Sequence, residues 1–213
     1  MYKSTLISFI LSLLLFTGCE ESPTAVAESN AIYTTFGGDY DDVGSAVVQT
    51  PDGGYLIVGT SYSGSGTTLS DMYVLKTNSN GIATSDSVFT SMTDADEASI
   101  DVSSFDLISD VKVLDDGGYI LVGSKYVSAT NYDVWLIKLA SDLSIIFSNT
   151  FAGAGNDFGY SVNLCDDNGY IIAGKTFNTA SGYDMWVIKT GSDGLKVAGD
   201  NTAAGGFGDT GTP

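Results

Sequence analysis

One sequence unit occurs three times in this chain and constrains its fold more than any other feature. Each copy has a DGGY-type turn, an apolar run closed by glycine, a polar loop, and an aspartate followed by a second apolar run that ends in lysine. The copies are residues 52–76, 116–138 and 167–189. A unit recurring at such spacing indicates a repeat architecture, in which every copy is one supersecondary element.

The pattern within each unit predicts antiparallel strands joined by tight turns, and no helical period follows the N-terminal segment. A strand over 31–36 is expected before the first unit. Four strands are then expected in each of the units 45–90, 110–151 and 160–198. The predicted strands are 45–50, 55–61, 71–77 and 82–90; 110–114, 119–126, 133–139 and 144–151; and 160–165, 170–177, 184–190 and 195–198.

The two central strands of each unit are continuously apolar, as in YILVG and VWLIK. An alternating pattern is typical of a sheet with one wet face, whereas a continuous run indicates burial on both faces. The sequence therefore predicts sheets that are stacked between neighbours, as in the blades of a propeller.

The pattern GGY, apolar run, polar loop, Asp-x-Trp, apolar run and Lys resembles the roughly fifty-residue repeats of bacterial secreted and lipoprotein β-propeller-like proteins. It covers residues 31–209, with Trp135 and Trp186 at the tryptophan position and Tyr73 in its place in the first unit. The resemblance implies an all-β array of three four-stranded antiparallel blades. Three units are too few for a closed ring, so we expect an incomplete or open propeller, with a β-trefoil as the alternative. Residues 199–213 are expected to begin a further, truncated unit or to form a disordered tail.

The N-terminal segment is typical of a secretory signal. Lys3 precedes an apolar stretch over 6–16, which is too short for a stable membrane-spanning helix. The sequence FTGC resembles a bacterial lipobox, which implies a signal peptide over 1–18 and lipidation of Cys19. Residues 19–30 then form a polar tether, and 31–213 the repeat domain. The predicted location is extracytoplasmic, lipid-anchored to the outer membrane or cell surface.

Charge excludes several classes of function. The 213 residues include 26 acidic and 8 basic residues, all lysine, which gives a net charge of −18. Binding to nucleic acid requires clustered cations, so we expect no such partner. Without histidine or arginine the chain lacks a histidine-based triad, a typical zinc site and a guanidinium clamp.

The repeated polar and aromatic residues are interpreted as parts of the fold, because every unit carries them. These are the aspartates Asp71, Asp133 and Asp184, the lysines Lys76, Lys138 and Lys189, the tyrosines Tyr55, Tyr119 and Tyr170, and the two tryptophans. A ring of such carboxylates can bind cations, but capping of turns and pairing at strand ends explain the repetition better.

The acidic residues outside the repeat are the candidates for a metal. Asp94, Asp96, Glu97 and Asp101 lie in the insertion 91–109, and three further aspartates lie in GGDYDDVG at 37–44. Oxygen-rich loops suit calcium, although neither segment has the full spacing of a calcium loop, and solvated acidic loops are the simpler interpretation. No other cofactor is expected.

These observations predict a binding or structural module at the cell envelope rather than an enzyme. The loops 62–70, 126–132 and 177–183 contain aromatic residues, and we expect them to form a face for a glycan or an envelope protein. Self-association that completes the propeller is a further expectation. The alternative is a polysaccharide-active enzyme, a hydrolase or lyase, that uses paired carboxylates. Cys165 lies in an apolar context and is expected to be a buried thiol.

Overall fold

The computed structural model describes residues 34–37, 41–62, 70–89, 106–128 and 131–197, and in this part of the chain all regular structure is β. The strands form three antiparallel sheets, in each of which consecutive strands are neighbours. The first sheet contains β1 (Asp42–Gln49), β2 (Tyr55–Tyr62), β3 (Ser70–Thr77) and β4 (Ala83–Phe89). The second contains β5 (Leu107–Val113), β6 (Tyr119–Ser128), β7 (Asn131–Leu139) and β8 (Ile145–Phe151), and the third contains β9 (Asp157–Leu164), β10 (Tyr170–Asn178) and β11 (Gly182–Thr190).

The all-β class and the antiparallel hairpins of the three units are confirmed, but the third sheet has three strands instead of four. After β11 the described residues make one isolated bridge, between Thr190 and Lys196. Leu195 and Val197, which flank that bridge, are largely exposed. The residues that follow them in the sequence, AGDN, favour turns and pair poorly as a strand. Of the predicted fourth strand 195–198, the described residues 195–197 contain only this single bridge.

The first strand of each sheet begins three residues earlier than predicted, and a β-bulge explains the difference. Ser45, Ser109 and Tyr160 are each skipped in the pairing with the second strand. The extra residue interrupts the alternation of side chains between the two faces of the sheet, so the sequence pattern did not predict a strand for the residues before it. Leu107 to Ser109, predicted to belong to the insertion, therefore lie in β5.

The glycine that closes each apolar run is required by the same bulge. A Cβ atom on Gly59, Gly123 or Gly174 would collide with the carbonyl oxygen of the first strand of its own sheet. The turn glycines have a different role, because Gly53 and Gly117 adopt φ of 82° and 79°. Asn168 takes the same position in the third unit with φ of 62°, a conformation that asparagine tolerates better than most residues.

The sheets stack face to face, with the second sheet between the other two. One cluster joins Leu56, Val58, Met72 and Val74 of the first sheet to residues of the second that include Leu121, Trp135 and Ile137. A second cluster joins the opposite face of the second sheet to Val162, Ile172, Trp186 and Ile188 of the third. Burial on both faces, predicted for every unit, therefore holds fully for the second sheet.

The third sheet departs from that prediction because its outer face is exposed. Met185 is 75% exposed, and Ile171 and Val187 are 39% and 37% exposed. The array is open at this side in the described part of the chain. A β-trefoil requires strands of different repeats to pair in one barrel, and among the described strands every pairing lies within one repeat. Of the predicted strand over 31–36, residues 34–36 are described and are not in a strand.

Candidate functional site

A continuous row of aromatic rings lies at the hairpin ends of the second and third sheets. Tyr132 contacts Tyr126 at a centroid distance of 5.4 Å and stacks on Phe158 at 5.3 Å. Phe158 contacts Tyr183 at 6.3 Å, and Tyr183 contacts Phe177 at 5.3 Å. These distances lie in the range that favours aromatic pairs. We call these five residues the aromatic row.

The row is partly open to solvent, which separates it from the buried aromatic residues of the core. Tyr183 is 48% exposed, and the other four members are partly buried. By contrast, Trp135 and Tyr119 are 1% exposed. The row belongs to a surface, and it joins residues of five strands, β6, β7, β9, β10 and β11.

The segments that enter β5 and β9 hold the hairpins in place. The amide of Tyr132 in the second sheet donates to Asn156 Oδ1 at 3.1 Å, and the amide of Phe177 in the third donates to the backbone carbonyl of Asn156 at 3.1 Å. In the same way, the Asp106 amide donates to the Ser70 carbonyl, and Asp106 Oδ1 accepts from the Tyr126 amide at 2.8 Å. Each crossing segment therefore connects the hairpin end of one sheet to the next.

Two buried carboxylates lie beneath this end of the sheets. Asp157 is 0% exposed, and its Oδ2 accepts a hydrogen bond from the Gly153 amide, while Oδ1 has no hydrogen-bond partner in the described structure. Asp133 is 8% exposed and accepts from Asn131 Nδ2 at 3.1 Å. Burial, followed by the neighbouring charge of Asp157, raises the pKa of Asp133. The hairpin end thus combines aromatic rings with carboxylate acceptors.

Lys175 adds a cation to the aromatic row. Its Nζ lies 4.3 Å from the centroid of Tyr183, 4.7 Å from Phe158 and 5.8 Å from Tyr160. Cations are attracted to the faces of aromatic rings at such distances. The side chain therefore covers one side of the row and limits access to Phe158.

The repeated lysines pair with the turn aspartates and not with Asp71, Asp133 and Asp184 near the start of their own strands. The Lys76–Asp52 and Lys138–Asp116 distances are 3.2 Å, and the Lys189–Asp167 distance is 2.7 Å. Asp116 Oδ1 also accepts from the Gly118 amide, and Asp167 Oδ1 from the Gly169 amide, both at 2.9 Å. These hydrogen bonds close the turns. The Gly118 amide, followed by Lys138, lowers the pKa of Asp116, and Lys189, followed by the Gly169 amide, lowers the pKa of Asp167.

The other repeated residues have positions that fit structural roles. Asp71 and Asp184 lie just inside the third strand of their units, which begins at Ser70 and Gly182, and the hydroxyl of Ser181 donates to Asp184 Oδ2 at 2.7 Å. Tyr170 and Trp186 are 3% and 7% exposed, and Tyr55 is partly buried.

An open groove of about 510 Å³ lies at the opposite, turn end of the second and third sheets. Its lining includes Asp116, Lys138, Cys165 and Tyr170. Cys165 is a free thiol that is only partly buried, one residue beyond the end of β9, so the expectation of a buried thiol is wrong. The Lys138–Asp116 pair in this lining closes the turn before β6, so these two charged groups have a structural role.

Several predicted residues lie outside the described part of the chain. They are Cys19, the four candidate calcium ligands Asp94, Asp96, Glu97 and Asp101, and most of the loop 62–70. Among the described residues, no group of three or more acidic, cysteine or histidine side chains is placed to hold a metal ion. The same residues contain no helix that is long and apolar enough to cross a membrane.

The sequence predicted the loops that carry four members of the aromatic row but not Phe158, nor the neighbouring Lys175 and Asp157. These three residues lie in strands, and nothing in the repeat sets them apart. The signal that was present is the junction GAGNDFG, which is richer in polar residues than a buried strand requires. No protein-family model matches the chain, and no curated protein matches it.

Proposed function

We propose that this chain is a non-enzymatic, lipid-anchored module of the cell envelope, and that the aromatic row is its glycan-binding surface. The observation that carries the proposal is the unbroken series of ring contacts among partly exposed side chains across two sheets. The exposed parts of these rings offer apolar surface to the faces of sugar rings, with Tyr132 and Phe158 stacked at 28° and the other pairs tilted or edge to face. Tyrosine hydroxyls and the nearby amides and carboxylates serve sugar hydroxyls.

The sheet arrangement supports a propeller-like architecture for this module. Each repeat forms its own meander, the sheets stack face to face, and the first strand of each following sheet contributes to the cluster between sheets. In propellers, loops at one end of the blades form the ligand-binding face. The aromatic row lies at that kind of position, at the β6–β7 and β10–β11 hairpins.

The anchor and location rest on the sequence. The segment ending in FTGC resembles a lipobox, and lipidation at Cys19 would place the repeat domain outside the cytoplasm. Labelling of cells that produce the full chain with a radioactive fatty acid tests this part. Incorporation should occur in the native chain and should disappear in Cys19→Ser.

Glycan binding is tested with the full chain on an array of bacterial envelope and host polysaccharides, followed by calorimetric titration. Tyr132→Ala removes the ring that joins the second sheet to Phe158 of the third, and it should weaken the affinity at least tenfold, or about 1.4 kcal/mol. Tyr160→Ala is the matched control, because Tyr160 is 50% exposed and makes none of the ring contacts that define the row. Equal affinities of the two variants would remove the aromatic row as the binding surface.

An enzyme acting on polysaccharide is the second candidate, and Asp133 is the residue that favours it. A carboxyl with a raised pKa beside a second carboxyl is the arrangement that a glycosidase uses. However, Asp133 and Asp157 are 8% and 0% exposed, which leaves little access for a substrate. Release of reducing ends by the native chain, lost in Asp133→Asn, would establish the enzymatic function over the binding one.

A further inference from the structure

The face of the third sheet that points away from the second carries large apolar side chains in water. Ile171, Val187 and Met185 are 39%, 37% and 75% exposed, and Ala173 is exposed as well. Ala173 pairs with Val187, and Ile171 lies two residues along the same strand, so these side chains form one patch. Patches of this kind mark interaction surfaces.

The repeat shows what covers such a patch elsewhere in the chain. The equivalent positions of the second sheet are 0% exposed beneath the third sheet, and those of the first sheet are at most 1% exposed beneath the second. They are Ile120, Val122, Val134 and Leu136 in the second sheet, and Leu56, Val58, Met72 and Val74 in the first. The third sheet thus presents a surface that a further sheet of the same kind covers twice within this molecule.

The first sheet carries the complementary surface on its outer side. Val47 pairs with Ile57, just as Val111 pairs with Leu121 and Val162 with Ile172. Val111 and Val162 are 1% exposed because they pack on the preceding sheet, whereas Val47 is 60% exposed. The outer faces of the first and third sheets therefore correspond to the two surfaces that meet between neighbouring sheets within the molecule.

We propose that a second copy of this chain docks the outer side of its first sheet on the exposed face of the third sheet. The contact is head to tail, and two copies joined in this way at both faces contain six sheets. Closed propellers have four to eight blades, so a two-fold symmetric dimer satisfies all four outer faces, while a ring of three copies exceeds that range. The proposal does not depend on glycan binding.

Charge at the patch favours a first sheet as the occupant. Lys175 stands where the second sheet has Ser124, whose hydroxyl accepts a hydrogen bond from the Gly159 amide at 3.3 Å. The first-sheet equivalent of Gly159 is Gly44, and the sequence directly before it contains Asp41 and Asp42. Docking therefore places the acidic segment that begins β1 against the sheet that carries Lys175, a cation that the second sheet lacks at the equivalent position.

The segment that follows the described residues is less suited as the occupant. Residues 198–213 contain Phe207 as their single large apolar side chain. The strand β9, which covers the second sheet, supplies Val162 to the buried cluster as part of a three-stranded sheet that also contributes Ile172, Trp186 and Ile188. The segment 198–213 lacks apolar side chains for a comparable contact.

Light scattering coupled to size-exclusion chromatography tests the proposal. The full chain is measured in a non-ionic detergent, and the mass of the detergent is subtracted. The expected protein mass is twice that of a single chain. Met185→Glu and Val47→Glu should each raise the dimer dissociation constant at least tenfold. Ile146→Glu is the matched control, since Ile146 is 56% exposed on β8 away from both faces, and it should remain a dimer. Circular dichroism confirms that each variant is folded.

A mixing experiment distinguishes head-to-tail docking from other contacts. Met185→Glu retains an intact first sheet and Val47→Glu an intact third sheet, so an equimolar mixture should recover a dimer through one interface. A dimer of Val47→Glu alone would mean that two third sheets pair with each other, and this would overturn the proposal. A native chain that is a monomer up to its solubility limit would also overturn it, because no second copy then docks on the patch.

Discussion

The stacking of the sheets makes its sharpest prediction at two isoleucines that are equivalent in the repeat. Ile120 and Ile171 each follow the repeated tyrosine, on the second strand of their sheets. Ile120 is 0% exposed between the second and third sheets, and Ile171 is 39% exposed on the outer face of the third. Replacing each by alanine makes the same chemical change in nearly the same strand context, so the difference measures the covering sheet alone.

The expected magnitudes follow from burial. Isoleucine to alanine removes three carbons, and each buried carbon contributes about 0.8 kcal/mol, or about 2.4 kcal/mol at a fully buried site. The cavity left between two sheets adds to this, so Ile120→Ala should lower the free energy of unfolding by about 3 to 4 kcal/mol. At Ile171 about three-fifths of that transfer term applies and no closed cavity forms, so the loss should be about 1.5 kcal/mol.

Urea unfolding of the full chain, followed by the fluorescence of Trp135 and Trp186, measures both values. The protein should be dilute enough that self-association contributes nothing, since docking at the third sheet would bury Ile171 as well. Linear extrapolation then gives the two free energies of unfolding. Equal losses in the two variants would refute the description of the second sheet as the central layer.

Three further outcomes follow from single contacts. Ser148→Ala leaves the indole N–H of Trp135, bonded to Ser148 Oγ at 2.8 Å, without its partner, so urea unfolding should show a loss of about 1 to 3 kcal/mol. A hydrogen bond from Thr50, with others from Gly54 and Lys76, lowers the pKa of Asp52 to about 2. The stability that this carboxylate contributes is present above pH 4 and is lost as the pH falls toward 2. The melting temperature of Asp52→Asn should therefore depend less on pH in that range than the melting temperature of the native chain. The raised pKa of Asp133 acts in the opposite direction, because the stability that this carboxyl contributes is lost as the pH rises. Asp133→Asn should therefore melt at least as high as the native chain at pH 7. A clearly lower melting temperature there would contradict this.

The sequence predicted most of each sheet but failed at particular positions. The runs YILVG and VWLIK correctly placed the central strands, because the alternation of turn glycines and apolar residues is a local property. The first strands were predicted to begin three residues too late because of the bulges at Ser45, Ser109 and Tyr160. A bulge changes which way side chains point without changing composition. The fourth strand of the third unit was predicted from the repeat, but the described residues 195–197 contain only one isolated bridge.

The candidate site was predicted in part. The loops near Tyr126, Tyr132, Phe177 and Tyr183 were identified because they interrupt the apolar runs with aromatic residues. Phe158 joins these loops into one row, and it comes from a different strand more than twenty residues away from Tyr132. Such a contact depends on how two sheets stack, which no local pattern contains.

By itself, the sequence determined the class of fold, the number of repeated units and the residues that close each turn. These follow from backbone geometry and from the spacing of apolar residues within a single unit. The tertiary structure decided which of three nearly identical sheets is covered on both faces, and it paired each repeated lysine with the aspartate in the turn before the neighbouring strand. The physical reason is that burial and ion pairing depend on the neighbour a surface meets, so equivalent sequences such as those around Ile120 and Ile171 have different environments.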